Sequence, residues 1–338
     1  MNIEYSRVTL HLRDPFTIAR RAPRTETEVI HVRIGAGIGE AAPQPYYGET
    51  VETVEIALAR YIEALADLDD DAPIETVAER MKTTLGGHPS ARAAIEAALW
   101  DRLGRRLNAP LWRLWGLDPA NVPPTSYTIG LGTTEAMQKK ARDATNVSIL
   151  KVKLGTPDDI GIVRALREVT DKPIRVDANT AWSPREAVER CEAFVELGVE
   201  FVEQPVKGHD LDGLRFVHER SPLPIIADES VRTSEDILRL AGCVDGINIK
   251  LAKCGGLLEA MTMIRLAHAL GMRVMLGCMI ESSIGIATML QLAPLADDVD
   301  LDGNLLITND PYEGPRLVDG VHVLTEAPGN GTRFRTGT

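Results

Sequence analysis

The sequence contains few cysteines and few aromatic residues, and it lacks any long apolar run. Its four cysteines form no Cys-x-x-Cys pair, which is typical of a chain from a reducing compartment. No apolar run approaches the roughly 18 residues of a membrane-spanning helix. The first ten residues also lack the apolar core of a signal peptide. We therefore expect a cytoplasmic protein without a membrane partner.

Positive charge is scarce as well. Lysine and arginine number 37 against 49 aspartates and glutamates, which gives a net charge of −12. Because an acidic surface repels a phosphate backbone, we expect no nucleic-acid partner. The chain is nevertheless 44% hydrophobic over 338 residues. That length and composition allow two ordinary domains, or one barrel with an accessory domain.

The N-terminal third predicts a mixed α+β unit. Alternating residues at 3–10 and 28–34 predict strands, and the glycine-rich segment 35–39 predicts a hairpin turn between strands. Helical patterns follow at 51–68, 74–84 and 89–107. We therefore assign residues 1–120 to one α+β unit.

From Val122 onward, short apolar runs alternate with helical segments. The polar residues near the ends of these runs recur every 22 to 26 residues, apart from one gap of 50 that contains the seventh run. A strand–helix repeat of this length predicts a (β/α) barrel, with a doubly wound open sheet as the alternative. In a barrel, chemistry collects at the C-terminal ends of the strands. The eight runs are 125–129, 147–154, 173–179, 199–204, 224–228, 245–250, 272–277 and 299–302.

Three carboxylates end three successive runs: Asp177, Glu203 and Asp228. In a closed barrel these strands are neighbours, so the three side chains converge. Converging anions need a cation, and an all-oxygen ligand set suits one Mg²⁺ per site. Asn179 and Glu229 lie next to these ligands in sequence, and we expect them to support the ligands from behind.

Three lysines accompany these acids. Lys151 and Lys153 point to the same side of one strand because they are two residues apart, and Lys250 ends the sixth run. Lys153 and Lys250 should therefore face each other across the metal. Two bases so placed can remove a proton α to a carboxylate and return one on the far side, while Mg²⁺ and Lys151 stabilise the enediolate. We expect neighbouring cations to lower the lysine pKa values toward neutrality.

At these residues the chain resembles the muconate-lactonising subgroup of the enolase superfamily. The motifs are Lys-Val-Lys, Asp-Ala-Asn, Glu-Gln-Pro, Ala-Asp-Glu-Ser and Asn-Ile-Lys-Leu-Ala-Lys-Cys-Gly-Gly, together with the helix segment 94–101, and they span nearly the whole chain. The resemblance implies an α/β fold, a modified (β/α)₇β TIM-like barrel at 121–310. It also implies that residues 1–120 form an N-terminal capping domain and that residues 311–338 return to this cap.

The resemblance also implies roles for these residues. Asp177, Glu203 and Asp228 match the Mg²⁺ ligands, and Lys153 and Lys250 match the acid/base pair. In Asn-Ile-Lys-Leu-Ala-Lys the first lysine is the catalytic match, not Lys253. The seventh strand has no histidine, where the mandelate-racemase subgroup carries its base.

The eighth strand separates the activities within the subgroup. It carries Asp300 and Asp302, and it resembles the Asp-x-Asp with which dipeptide epimerases bind the free α-ammonium group of their substrate. Two carboxylates on one face suit an ammonium group and would repel an anionic substrate. Thr128 and Met279 lie in segments that match the same group, so we expect them to bind substrate.

The preferred hypothesis is an isomerase, a Mg²⁺-dependent dipeptide epimerase of the L-Ala-D/L-Glu type that inverts the α-carbon of the C-terminal residue. The alternatives are an N-acylamino-acid racemase, an o-succinylbenzoate synthase or a cycloisomerase of the same subgroup. A non-catalytic metal-binding scaffold is a more remote alternative. A homo-oligomer is compatible with this class of barrel.

Specificity is expected in the cap, where segments 20–25 and 43–52 match two mobile loops of the family. The arginines of the first segment suit an anionic side chain or a terminal carboxylate, and Arg21 is the best match to a substrate-binding arginine. Residues of the second segment equally suit a cationic or an apolar side chain, so both alternatives stay open. The residues concerned are Arg20, Arg21, Arg24, Tyr47, Glu49 and Glu52.

Overall fold

The computed structural model describes residues 1–336, apart from the side chain of Arg21. Its N-terminal strands β1 (Glu4–Ile18), β2 (Arg21–Ile34) and β3 (Gly37–Ala41) form an antiparallel sheet in chain order. β1 and β2 are longer than expected from the sequence because they pair as one long hairpin, with Glu4 opposite Arg33 and Ile18 opposite Arg21. Most of segment 20–25, predicted to be a loop, therefore belongs to a strand.

Three helices follow this sheet: α1 (Val51–Leu65), α2 (Ile74–Thr84) and α3 (Pro89–Arg106). α3 packs directly on β3, and two glycines of the predicted turn allow this close approach. A Cβ atom added to Gly37 would lie 2.1 Å from the carbonyl oxygen of Ala98, and one on Gly39 would lie 2.1 Å from that of Ala94. The segment forms the turn of the β2–β3 hairpin, as predicted, and α3 packs against it.

Eight parallel strands form the barrel, and their order in the sheet is their order in the chain. Each lies largely within one of the eight predicted apolar runs, and a bridge between Thr125 and Val299 joins the first strand to the last. The (β/α)₇β architecture is confirmed, because a helix follows each of the first seven strands. The strands are β4 (Ser126–Ile129), β5 (Ile149–Lys153), β6 (Ile174–Asp177), β7 (Val199–Glu203), β8 (Ile225–Ala227), β9 (Gly246–Ile249), β10 (Arg273–Gly277) and β11 (Asp298–Asp300).

Most helices around the barrel bury one face on the strands, whereas α10 and α12 are buried along their whole length. After a short α4 (Leu111–Leu114), they are α5 (Thr134–Asp143), α6 (Asp159–Arg167), α7 (Pro184–Glu196), α8 (Leu211–His218), α9 (Ser234–Leu240), α10 (Leu251–Cys254), α11 (Leu257–Ala269) and α12 (Ser283–Leu290). Among the residues that the structure describes, no helix combines the length and the apolar composition needed to cross a bilayer.

The C-terminal segment forms two small antiparallel pairs. β12 (Tyr312–Glu313) pairs with β15 (Arg333–Phe334), and β13 (Arg316–Val318) pairs with β14 (Val321–Val323).

One buried carboxylate on α3 joins three parts of the chain. Oδ2 of Asp101 accepts hydrogen bonds from the backbone N–H of Ile38 (3.0 Å) and from Nε of Arg105 (2.8 Å). Its Oδ1 accepts the backbone N–H of Asn330 (2.8 Å), so the N-terminal sheet, α3 and the C-terminal segment share one anchor. Burial raises the pKa of Asp101, although Arg105 opposes this effect.

We predict that Asp101→Asn lowers the free energy of unfolding by about 2–3 kcal/mol. The new amide keeps one acceptor oxygen but turns an N–H group toward the donors of Ile38 and Arg105, which leaves buried donors unsatisfied. Urea denaturation followed by circular dichroism measures the change. Asp171→Asn, at an exposed loop position, is the matched control and should change stability by less than about 0.5 kcal/mol. Equal effects of the two substitutions would refute the anchor.

Candidate active site

Three carboxylates meet at the C-terminal ends of neighbouring barrel strands. Asp177 and Glu203 end β6 and β7, and Asp228 directly follows β8. Asp177 pairs in register with Glu203, which puts their side chains at the same height in the barrel. One oxygen atom from each of the three lies within 4.8 Å of the others, and all three residues are buried. The convergence predicted from the sequence is present.

Lysines flank this cluster on both sides. Nζ of Lys153, on β5, lies 2.5 Å from Oδ2 of Asp177, and Nζ of Lys250, after β9, lies 2.8 Å from Oδ2 of Asp228. Lys151 reaches Glu203, where Nζ lies 2.6 Å from Oε2. The five strand ends from β5 to β9 thus carry a lysine at each edge and three acids between them.

The charges around the lysines have the opposite effect to the one expected from the sequence. Burial favours the neutral amine of Lys151, but Asp300, Glu203 and Asp177 outweigh burial and raise its pKa well above the usual value. Burial likewise favours the neutral amine of Lys250, but Asp228 and Glu203 together outweigh it and raise that pKa. For Lys151 and Lys250, the expectation of pKa values lowered toward neutrality is therefore wrong when only the protein's own charges act, because a carboxylate contacts each of these two lysines.

The cluster fits a divalent cation. All of its candidate ligand atoms are carboxylate oxygens, the donor type that Mg²⁺ prefers. Among the described residues, the buried Oε2 of Glu203 accepts no hydrogen bond of good geometry, although Lys151 lies close to it. Burial, followed by the neighbouring Asp177, raises the pKa of Glu203 to about 7. Such a carboxylate is short of positive charge, and a metal ion would supply it.

Of the two residues expected to support the ligands, Asn179 contacts Asp177 directly, and Glu229 reaches it through Asn179. The backbone N–H of Asn179 donates to Oδ1 of Asp177 (2.8 Å), and its side-chain amide donates to Oδ2 (3.1 Å). Asn179 has a φ of +45°, a conformation that asparagine tolerates better than most residues. Oε1 of Glu229 accepts from Nδ2 of Asn179 (3.4 Å) and from Nη1 of Arg20 (2.5 Å).

A cavity of about 410 Å³ opens above the cluster. The cap closes it with the β1–β2 hairpin and with a short 3₁₀ turn at Pro45–Tyr47. Eight side chains expected from the sequence to act in the site line this cavity, as does Asn179. The eight are Thr128, Lys151, Lys153, Asp228, Lys250, Met279, Asp300 and Asp302.

The cap residues divide into two groups. Arg20 is committed to the barrel, because it binds Glu229 and the carbonyl oxygen of Asn179 (2.9 Å) and lies 4.2 Å from the ring centre of Tyr46. Arg24 and Tyr47 line the cavity. Two acids considered for a cationic side chain are engaged elsewhere: Glu49 is buried against Ser90, and Glu52 pairs with Arg7. The side chain of Arg21 lies outside the described residues.

The two carboxylates of the eighth strand have different surroundings. Oδ2 of Asp300 accepts from Nζ of Lys151 (2.6 Å), and its Oδ1 accepts from Oγ of Ser126 (2.6 Å). Asp302 lies beyond the end of β11, where its Oδ2 accepts the backbone N–H of Thr128 (2.6 Å). Its Oδ1 lies 4.0 Å from Sγ of Cys278. Burial and the charge of Asp300 raise the pKa of Asp302 to about 6.

Comparison with known families agrees with this geometry. Residues 2–116 match the mandelate racemase/muconate lactonizing enzyme N-terminal domain, and residues 134–337 match the enolase C-terminal domain-like family. The chain belongs to the mandelate racemase/muconate lactonizing enzyme family. This membership confirms the resemblance drawn from the strand-end motifs.

Relatives within this family include several epimerases. The chain is 40% identical to the L-Ala-D/L-Glu epimerase of Bacteroides thetaiotaomicron, over 98% of this chain and 87% of the relative. It matches the structure of a dipeptide epimerase from Enterococcus faecalis, complexed with Mg and L-Leu-L-Tyr, at 33% identity and a TM-score of 0.91, with 98% of each chain covered.

Backbone similarity does not separate the activities of the family. The muconate lactonizing enzyme of Pseudomonas fluorescens, complexed with muconolactone, matches at 28% identity and a TM-score of 0.92, over 99% of this chain and 96% of the other. The side chains in the cavity must therefore decide between these activities.

Three contacts of this family member were not expected from the sequence. Ser126 holds Asp300, Asn248 donates to Glu203, and Lys253 donates to Asp228. Lys253 stands three residues after Lys250 in a motif already noted, so a signal for it existed. Asn248 opens the same motif, so a signal existed for it too. Ser126 is an ordinary strand residue, and only the closed barrel brings it to Asp300.

We predict that the protein binds one divalent cation per chain at the acidic cluster. Glu203→Gln should weaken this binding by at least about tenfold, because it removes a negative charge from an oxygen that faces the cluster. Isothermal titration with Mg²⁺ measures the affinity and the stoichiometry. Glu200→Gln is the matched control, since Glu200 lies on the same strand at the exposed end. Unchanged binding in Glu203→Gln would contradict this site.

Proposed function

We propose that the protein is a Mg²⁺-dependent dipeptide epimerase, which inverts the α-carbon of the C-terminal residue of a dipeptide by 1,1-proton transfer. One observation carries the proposal: a cluster of three buried carboxylates lies between Lys153 and Lys250, and Asp300 and Asp302 line the same cavity. The activities of the relatives support it, since several are epimerases of L-Ala-containing or hydrophobic dipeptides.

Asp177, Glu203 and Asp228 would hold the metal through their carboxylate oxygens. When bound, Mg²⁺ supplies positive charge that stabilises the anion formed at the substrate carboxylate and offsets the carboxylates that raise the lysine pKa values.

The lysines divide the proton transfer between two sides. Lys153 and Lys250 stand at opposite edges of the acid cluster, on β5 and after β9. Neutral amine on one side takes the α-proton, and the ammonium group on the other side returns a proton to the planar carbon, which inverts it. Lys151 stays protonated between Glu203 and Asp300, where its charge favours the anionic intermediate.

Asp302 gives the site its preference for a free ammonium group. Asp300 is neutralised by Lys151, whereas Asp302 accepts neutral hydrogen-bond donors, so Asp302 is the carboxylate better able to attract a cation. A muconate, a succinylbenzoate precursor or an N-acylamino acid has no ammonium group at this point. A buried carboxylate repels the dianionic substrates among these, which favours the dipeptide over the alternatives.

The roles of Thr128, Met279 and Arg21 as substrate-binding residues belong to this proposal, as do the domain limits 1–120, 121–310 and 311–338. The cytoplasmic location, the lack of a nucleic-acid or membrane partner and self-association stay predictions from the sequence.

We predict that the protein, incubated with Mg²⁺ and L,L-dipeptides in D₂O, incorporates deuterium at the α-carbon of the C-terminal residue. Lys153→Ala and Lys250→Ala should each lower epimerisation by about 10²- to 10⁴-fold, because each removes one acid/base group. Each variant should still exchange the α-proton of one diastereomer, and the two variants should differ in which one. Proton NMR measures both reactions, with acidic, basic and apolar dipeptide pools tested separately.

Lys207→Ala is the control for the lysine variants, since Lys207 is exposed and lies outside the cavity lining. Full turnover by Lys153→Ala or Lys250→Ala on a confirmed substrate would contradict the two-base mechanism. No exchange in any dipeptide pool, with exchange of an N-acylamino acid, would favour the racemase alternative.

We predict that kcat/KM for a dipeptide falls as the pH is lowered through about 6, because Asp302 gains a proton there and loses its attraction for ammonium. Asp302→Asn should lower kcat/KM about tenfold to hundredfold at pH 8 and should remove this acidic limb. Steady-state rates from pH 5 to 9, for the dipeptide and for its N-acetyl derivative, provide the test. An Asp302→Asn variant that keeps both the rate and the limb would show that Asp302 does not bind the ammonium group.

A further inference from the structure

Lys253 is a fourth buried lysine next to the acidic cluster, and its contacts differ from those of the other three. It lies in α10, one helical turn after Lys250. Its Nζ donates to Oδ1 of Asp228 (2.5 Å), to the backbone oxygen of Asp228 (2.6 Å) and to the backbone oxygen of Asn248 (2.8 Å). All three partners are acceptors, so all three N–H bonds of an ammonium group are in use.

Asn248 connects this lysine to a second acid of the cluster. It lies on β9 and is fully buried. Its side-chain amide donates to Oε1 of Glu203 (2.9 Å), while its backbone oxygen accepts from Lys253. One hydrogen-bonded chain therefore runs from Glu203 through Asn248 and Lys253 to Asp228.

A common pattern emerges across the three acids. One oxygen of each acid accepts a hydrogen bond from a group away from the cavity. The backbone N–H of Asn179 donates to Oδ1 of Asp177. The side chains of Asn248 and Lys253, which do not line the cavity, donate to Oε1 of Glu203 and to Oδ1 of Asp228. The second oxygen of each faces a lysine that lines the cavity.

We propose that Lys253 is a positioning residue, which with Asn248 fixes the rotation of Asp228 and Glu203 so that each offers a single oxygen to the metal. This inference rests on the proposed function, because it assigns the cation to the acidic cluster. A carboxylate rotates readily about its last side-chain bond. Without a hydrogen bond that fixes this rotation, it can present either oxygen to the metal. Lys253 thereby sets the affinity for the metal without touching the substrate.

The test is a titration of each purified, metal-free protein with Mn²⁺ alone, followed by the electron paramagnetic resonance signal of free Mn²⁺. Lys253→Met keeps the apolar stem and removes the three donors. We expect its dissociation constant for Mn²⁺ to rise about tenfold to hundredfold relative to the native protein. Lys253→Gln keeps an amide donor without the charge, so its dissociation constant for Mn²⁺ should lie between those of the native protein and Lys253→Met. It replaces Lys253→Met in the test if that variant does not fold.

Cys254→Ala is the matched control for these variants. Cys254 is the next residue of α10 and is buried, but its Sγ contacts the backbone oxygens of Leu251 and Gly256 rather than an acid. Its Mn²⁺ affinity should stay within about twofold of the native value, even if its thermal midpoint falls. If Lys253 had only a structural role, the Lys253 variants would behave like Cys254→Ala, with a lower thermal midpoint and an unchanged affinity for Mn²⁺.

The outcomes separate this inference from the proposed function. Native protein that binds Mn²⁺, together with folded Lys253→Met or Lys253→Gln that binds it equally well, overturns the positioning role and leaves the epimerase proposal standing. Native protein that binds no Mn²⁺ overturns both. Weakened binding in the Lys253 variants, with native-like binding in Cys254→Ala, supports the inference.

Discussion

The pairing of buried carboxylates with buried lysines at the ends of β5 to β9 is the constraint on which the rest of the site depends. An isolated buried charge costs several kcal/mol, and removing one member of a buried pair leaves the other exposed to that cost. The three acids are therefore tolerated only because Lys151, Lys153 and Lys250 meet them from the cavity side. The parallel register makes this arrangement possible, since Lys153 pairs directly with Asp177 along the strands.

The same constraint links the barrel to its cap. Glu229 follows Asp228 in the chain, and burial with the charges of Asp228 and Asp177 raises its pKa. Arg20 offsets that charge from the tip of the β1–β2 hairpin. The cap therefore does more than cover the cavity: it supplies a cation to the charge network. Arg20, whose segment suits an anionic group of the substrate, thus also attaches the cap to the barrel while it lines the cavity.

The barrel and its acid cluster could be predicted from the sequence because both depend on short-range repetition. A strand–helix repeat of about 25 residues fixes the order of the strands. The acids at the ends of three neighbouring strands must then converge. The long β1–β2 hairpin could not be foreseen, because its outer half shows little alternation and contacts residues far away in the sequence, as at the bridge between Leu12 and Ile307. The contact of Ser126 with Asp300 joins residues 174 positions apart and depends on barrel closure.

For a related reason, the protein's own charges shift the pKa values of Lys151 and Lys250 in the direction opposite to the prediction. Sequence spacing shows that Lys151 and Lys153 are close, and like charges would lower both pKa values. It does not show that Asp300 crosses from β11 to within 2.6 Å of Lys151, or that Asp228 reaches Lys250. Counting charges along one strand therefore gives the repulsion and misses the attraction from strands on either side. This also shows why the metal and the lysines belong to one electrostatic unit.

Four lysines of identical chemistry thus take different parts, and the number of acceptors around each decides which. Lys253 donates to three acceptors, although burial lowers its pKa, and Lys151 lies near three carboxylates that raise its pKa. Among the described residues, Lys153 and Lys250 each donate one hydrogen bond, and both line the cavity. A proton transfer group must be able to lose and regain its proton, which a lysine with all its donors in use cannot do without breaking the network. The acceptor count therefore supports the proposal that Lys153 and Lys250 are the acid/base pair.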